Sequence, residues 1–364
     1  LEMVARGNDT YITYTAPETE GEKPPYLSHN YQGSLSDICP VGAMLNENTL
    51  FQSRVWWYES EDTYCHGCST LCKVSANVKN NALYRYMPRR LPSPQHAGED
   101  YWGSHDYFIC DYGRFSGRDF SKDRLHHYNI NGEKSVSQTA LPLLAEKVRT
   151  AQKILLLGGA TESSEDVDAI QNLVSQWQNG GKTVEWDFRS DAQAFHKDAD
   201  AQWDFLLSKD ARPNARYLRD LGKTIFTDFE QLIQKAKDAD LILVLNELSA
   251  PFAYQTGVIR PQVKGFNVPN KVEDTALFSV LNGDKTGASL WGKIALFTTH
   301  ENMAAQLAAL ALPVLAFPEK NGVFRDNKGE NKNITASLRP VQGLQSTAAV
   351  LQRAFADSEQ KVAV

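Results

Sequence analysis

The sequence has no long apolar run. Its most hydrophobic stretches, Ile154–Gly159, Leu241–Leu245 and Leu307–Phe317, all fall short of the roughly 18 residues that span a bilayer, and Pro313 interrupts the last. It has no basic excess either: 38 Lys and Arg stand against 44 Asp and Glu, a formal charge of −6, which argues against nucleic-acid binding. Residues 1–30 are polar and carry no apolar segment of a secretory leader. Cysteine is scarce and confined to the first third: Cys39, Cys65, Cys68, Cys72 and Cys110, with none after. An odd number without a secretion signal makes a poor disulfide framework and a better metal framework with one member left over. What is present is 364 residues, 42% hydrophobic and 23% charged, enough for two or three ordinary globular domains. The chain opens on Leu1 rather than Met, as a fragment or processed product would.

Composition changes near residue 130. Residues 1–130 hold every cysteine and six of the eight histidines, are rich in Tyr, Trp, Pro and Gly, and show weak periodicity. They predict short strands and loops organised by something other than a large apolar core. Residues 131–138 are polar and read as a connector. From 139 the pattern alternates between helix and strand. Leu141, Leu144 and Val148 predict a helix ending before Lys153, and Ile154–Leu157 a buried parallel strand stopping at Gly158-Gly159. Ser163 can cap a helix whose Val167, Ile170, Val174 and Trp177 share one face. Thr183–Phe188 follows as a strand, Phe229–Lys237 as a helix, Leu241–Leu245 and Lys293–Phe297 as strands, Asn302–Leu310 as a helix and Val314–Phe317 as a strand. The expected fold is therefore α/β: an irregular cysteine-bearing region, then a mainly parallel, Rossmann-like sheet with right-handed crossovers.

Cys65-His66-Gly67-Cys68-Ser69-Thr70-Leu71-Cys72 gives C-x2-C-x3-C, and Cys110 follows after 37 intervening residues. A [4Fe–4S] cubane takes four thiolates, three from a compact triplet and one from a distant cysteine that ties a second loop to it. Phe108 and Ile109 can keep water off the sulfurs, and Lys73 adds a positive charge. Structural zinc is the alternative, although four-cysteine zinc sites are usually two C-x2-C-type pairs. His66 reads as a loop residue at the edge of such a site. Cys39 precedes Pro40, as the last ligand of a ferredoxin-type run does; a lone cysteine can equally be a small buried hydrophobe of ordinary reactivity.

Four blocks together resemble the large iron–sulfur (G) subunit of bacterial NADH-quinone oxidoreductase, respiratory complex I. They are Ser36-Asp37-Ile38-Cys39-Pro40-Val41-Gly42-Ala43, Phe51-Gln52-Ser53-Arg54-Val55-Trp56, the cysteine triplet, and Cys110-Asp111-Tyr112-Gly113-Arg114-Phe115. The rest is similar, more weakly, to the molybdopterin-oxidoreductase-like domain of that subunit, most clearly at Glu319-Lys320-Asn321-Gly322-Val323-Phe324 with Gly329 after it. The resemblance implies electron transfer from NADH and flavin in a neighbouring subunit towards quinone. It implies that Cys65, Cys68, Cys72 and Cys110 hold a [4Fe–4S] cluster lying off the main route. Cys39 would be the fourth ligand of another cluster whose remaining ligands precede residue 1. It implies a C-terminal portion: residues 1–60 ending a ferredoxin-like domain, 61–130 forming a [4Fe–4S] domain, and 139–364 a truncated α/β domain without molybdopterin. It also implies other peripheral-arm subunits as partners, no direct membrane insertion, and a place on the cytoplasmic side of the inner membrane. Two departures stand out. The Pro-rich stretch Pro88–Tyr107 lengthens the gap before Cys110, and Tyr112 replaces the Lys that lies between cluster and pterin in molybdenum relatives.

Three other functions remain open. A molybdenum or tungsten oxidoreductase shares the cysteine pattern, but its catalytic part is much longer and many use a later cysteine as metal ligand. A nucleotide-binding dehydrogenase could use Gly158-Gly159 before a helix N-terminus, but the full G-x-G-x-x-G fingerprint is missing, and a tight strand-to-helix turn accounts for the pair. A zinc-stabilised interaction module is the third. His126-His127 reads as a surface pair, because adjacent residues point apart.

Overall fold

The computed structural model describes residues 2–13, 31, 33–46, 50–89, 108–115, 120, 123–189, 210, 212–225, 228–248, 276–283 and 287–362. Most of the Pro88–Tyr107 stretch lies outside these. The first half of the fold is small and antiparallel. Strands β1 (Glu2–Val4) and β2 (Tyr11–Thr13) pair with each other, and the short helix α1 (Ser34–Ile38) follows. A three-stranded sheet runs β3 (Glu59–Tyr64), β4 (Lys73–Lys79), β5 (Ala82–Pro88). β4 and β5 join through Asn80-Asn81, both in the left-handed region (φ 51° and 59°), as a two-residue hairpin turn requires. Helix α2 (Asp111–Phe115) begins directly after Cys110.

The second half is one eight-stranded sheet. Its chain order is β6 (Tyr128–Ile130), β7 (Glu133–Ser135), α3 (Ser137–Thr150), β8 (Lys153–Gly158), α4 (Ser164–Asn179), β9 (Thr183–Phe188), α5 (Ala215–Asp220) and β10 (Thr224–Ile225). Then come α6 (Phe229–Asp238), β11 (Leu241–Leu245), α7 (Ala276–Asn282), β12 (Ile294–Thr298), α8 (Met303–Leu307) and β13 (Leu310–Pro313). The spatial order is β10-β9-β8-β11-β12-β13-β6-β7, parallel from β10 to β13, with the β6–β7 hairpin added antiparallel at one edge. The α/β expectation holds. A small hairpin, β14 (Gly322–Arg325) and β15 (Asn331–Ile334), and the helix α9 (Thr347–Val362) complete the chain.

Alternation along the strands sends Ile154 and Leu156 to one face and Leu155 and Leu157 to the other, so both faces are buried. On the first face Leu141, Leu144, Val167, Ile170, Val174 and Trp177 cover the sheet; on the second Leu232, Ala236, Phe278 and Leu281 do so. Ser163 caps α4 by accepting from the Asp166 amide at 3.1 Å, as expected.

Three readings are corrected. Residues 131–138 are no connector: Asn131-Gly132 (φ 51° and 82°) is the turn of the β6–β7 hairpin, and α3 starts at Ser137. Asn-Gly is a strong signal for such a turn. The expected helix Asn302–Leu310 ends at Leu307, although Asn302 does cap it. The strand expected at Val314–Phe317 lies instead at Leu310–Pro313, and Phe317–Glu319 is a 3-10 turn. The alanine-rich run suits a helix by propensity, but the slot between β12 and β6 claims it. Pro313, which cannot donate to a ladder, closes the strand.

Candidate metal centre

The cysteine triplet occupies the loop between β3 and β4. The Cys65 amide donates to the Cys72 carbonyl at 2.8 Å and closes the loop at its base. Ser69, at its tip, donates its amide to the Asp210 carbonyl (3.0 Å) and accepts from the Asn327 amide (2.8 Å), so the α/β half grips the loop. Leu71 packs with Phe317, Phe324 and Ile334 from the same half.

Cys110 reaches this loop from the N-terminal side of α2. Its sulfur accepts from the Gly113 amide at 3.3 Å, and the Cys65 sulfur accepts from the Gly67 amide at 3.4 Å. Gly113 lies against the Cys65 sulfur so closely that a methyl group there would come within 2.6 Å of it. Ile109 is fully buried beside them, whereas Phe108 is exposed, so the shielding expected from both comes from Ile109.

All four thiols are buried and feel one another. Burial first, then the neighbouring Cys68, pushes the Cys65 thiol up to about 12, partly opposed by the Gly67 amide. Cys72 is held well above its ordinary value by burial and by Cys68, Cys65 and Cys110. Cys110 is held up by burial and by Cys65 and Cys68. At neutral pH the metal-free thiols of Cys65, Cys72 and Cys110 keep their protons, and any metal centre must displace them. Among the described residues, no three Cys, His, Asp or Glu side chains converge tightly enough to hold a single metal ion.

His66 faces away into an aromatic box. Its ring lies 4.8 Å from Phe120, 5.1 Å from Phe317 and 5.9 Å from Tyr86, and burial lowers it to about 3, so it is neutral. Of the adjacent histidines, His126 is exposed and His127 lies 3.4 Å from Glu301.

The structure does not bring Cys39 into this group. It ends α1, half-exposed, and accepts the Met44 amide on sulfur at 3.4 Å. Its thiol is not of ordinary acidity, as the sequence suggested: the amides of Met44, then Val41, Ala43 and Gly42, hold it below the usual value. In the same stretch of sequence Ile38, Val41, Leu45, Phe51, Trp56 and Trp57 are exposed. Sequence reasoning passed over two residues that join the regions. Arg114 and Asp37 form a buried pair, and both lie within the sequence blocks that carry the resemblance.

In the α/β half, the crevice at the C-terminal ends of β8 and β11 is where the strand order reverses, the usual ligand position of a doubly wound sheet. Here the chain's own side chains enter it. Buried Lys320 meets Glu162 at 2.5 Å, and Glu162 also accepts from Asn246 (2.6 Å) and Thr347 (2.8 Å). Glu247 pairs with Arg212 at 3.0 Å and lies over Gly158, where a side chain would come within 2.5 Å of both its Cγ and the Leu245 carbonyl. Gly158 and Gly159 also adopt left-handed φ values of 106° and 94°, so the pair makes the expected tight turn.

No protein-family model matches the chain. Curated proteins do match part of it. It is 30% identical over 125 residues to NADH-quinone oxidoreductase subunit 3 of Thermus thermophilus, covering 34% of this chain and 14% of that one. It is 30% identical over 151 residues to the G subunit of the NADH-quinone oxidoreductase of Pseudomonas fluorescens (41% and 16%), and 26% over 191 residues to the G subunit of the Rickettsia typhi enzyme (50% and 26%). The chain thus spans between 14% and 26% of the length of these relatives. The relatives are subunits of an oxidoreductase complex. Among the described residues, no helix is long and apolar enough to cross a membrane.

Proposed function

We propose that the chain is an electron-transfer part of an NADH-quinone oxidoreductase, with Cys65, Cys68, Cys72 and Cys110 as the ligands of one [4Fe–4S] cluster. The carrying observation is that four cysteines from two distant segments are buried side by side, with amides of Gly67 and Gly113 already aimed at two of the sulfurs. The relatives' names support the same reading. Bound there, such a cluster would accept and release one electron at a time.

The chain's own residues do the rest. The β3–β4 loop and α2 present the four sulfurs. Ile109, Leu71 and the box around His66 exclude water, and N–H···S bonds from Gly67 and Gly113 stabilise negative charge on sulfur and so raise the reduction potential. A cubane sets its ligand sulfurs farther apart than one zinc ion does. The spacing here, a compact triplet and one distant cysteine rather than two C-x2-C-type pairs, favours the cluster over zinc.

In this reading Cys39 is one ligand of a second cluster whose other ligands lie elsewhere; the amides around its sulfur and its half-exposed position support that role. The α/β half carries no molybdopterin or NADH. The filled crevice at β8 and β11 supports this, because Lys320 and Glu247 stand where a ligand would lie. The partners are then other subunits of the complex's peripheral arm, including the flavin- and NADH-binding one, on the cytoplasmic face of a bacterial inner membrane.

The test is anaerobic reconstitution with ferrous iron and sulfide, followed by iron counting and EPR of the reduced chain. About four irons per chain are expected, and Cys110→Ala abolishes or alters the signal. A colourless chain that takes up one zinc and no iron overturns the proposal.

A further inference from the structure

We propose that the buried Asp37–Arg114 ion pair is a strut that makes the exposed Cys39 loop and the four-thiol site open and close as one unit. Asp37 lies on α1, two residues before Cys39; Arg114 lies on α2, four residues after Cys110. Their contact is two-pronged, Nη1 to Oδ1 at 2.9 Å and Nη2 to Oδ2 at 2.6 Å, with the side chains only 2% and 7% exposed. One prong is an aligned, charge-assisted hydrogen bond that fixes direction; the other, at Nη2, is a close charge contact without hydrogen-bond alignment.

A second link runs beside it. The Gly33 amide donates to Asp111 Oδ1 at 2.8 Å. Gly33 has an ordinary helical φ of −59°, so its backbone does not demand glycine. Space does: a methyl group there would meet Arg114 Cδ and Nε at 2.5 Å and Asp111 Oδ1 at 2.8 Å.

Apolar packing does not anchor α1. Its only buried residue is Ser34, Ile38 is 69% exposed, and at five residues it is too short to persist alone. Its orientation, and with it the start of the Cys39 loop, therefore comes from Asp37 and Gly33. At the other end, Arg114 donates its amide to the Cys110 carbonyl (2.9 Å), and the preceding residue, Gly113, touches both Cys110 and Cys65 sulfurs. The contacts are continuous from the Cys39 loop to the buried sulfurs, although the partners lie 77 residues apart in sequence.

The strut stands whether or not the thiols take a cluster, so its first test uses the metal-free full chain. Hydrogen exchange of the amides at 41–44 and 111–115 is followed by mass spectrometry, with the amides of Cys65 and Ser69 as internal controls. Asp37→Asn and Gly33→Ala are each expected to speed exchange in both segments at least tenfold while the controls hold. Asp37→Asn with Arg114→Lys should be no faster than either alone, and Asp37→Glu should retain most of the protection. Faster exchange in one segment only, additive effects, or equal acceleration of the controls in both variants overturns the strut. A second readout takes the chain reconstituted with iron and sulfide, where Asp37→Asn is expected to shift the reduced EPR signal and Asp37→Glu to restore it. An unmoved signal counts against the strut; failure of the unmutated chain to take up iron counts against the proposed function alone.

Discussion

The two halves of the molecule are held together by different physics. In the α/β half, strands such as Leu241–Leu245 are buried on both faces, and apolar area drives the fold. In the cysteine half, the buried apolar set around the thiols is small: Val74, Ala76, Val78, Leu83, Tyr86, Ile109 and Phe120, with Ala316 and Leu338 lent by the other half. Strand β3 exposes Glu59, Ser60, Glu61 and Asp62. A region so poor in core gains order from polar cross-links: the Asp37–Arg114 pair and the grip on Ser69. Loss of core should therefore damage one half, and loss of cross-links the other.

The largest effect expected on the cysteine half comes from Cys72→Ala. All of the roughly four irons are lost, the exchange protection of β4 falls, and the thermal transition of the α/β half stays where it was, as separate probes of each half would show. Conversely, Phe297→Ala, which empties a fully buried position in the centre of the sheet, should cost about 3–5 kcal/mol in urea unfolding of the α/β half. At 25 °C the folded fraction should still bind the same iron per chain. A change in iron stoichiometry would blur the division between the halves.

An intermediate effect is set by pH. The Cys65 thiol stands at about 12 in the fold against an ordinary 9.0, so the metal-free fold binds more protons than the unfolded chain across that window. Its contribution to stability is whole below pH 9 and is lost as pH rises towards 12. In a metal-loaded chain the thiolates have already shed their protons and the loss disappears. Urea midpoints at pH 8 and pH 10, with and without iron and sulfide, measure the difference. The smallest effect is Ser163→Ala, which removes the α4 cap and should cost about 1 kcal/mol by the same urea assay, with no change in iron uptake.

Much of the α/β half was legible because its signals are local. Thr183–Phe188 and Leu241–Leu245 are strands to the residue, each an apolar or β-prone run bounded by turn or polar residues. The reading failed where tertiary competition decides, as at Leu310–Pro313, where a helix-prone alanine run fills a slot in the sheet. The cysteine half was legible the other way round. Its grouping of cysteines was plain in C-x2-C-x3-C, but its three-stranded sheet was not, because Glu59–Tyr64 has no apolar alternation to announce an edge strand. Spacing brought the four cysteines together on paper, and the fold buries them together. The Asp37–Arg114 pair was invisible, since no short-range rule links residues that far apart.

The grip on Ser69 sets an order of events during synthesis. The cysteine loop is made before its clasp, which needs Asp210 and then Asn327, 141 and 258 residues after Ser69. Until then the triplet is present without the half that holds its loop in place. A nascent chain paused before residue 327 should therefore leave its cysteines open to oxidants and to stray metal, and any loading of the site belongs after residue 327 has emerged.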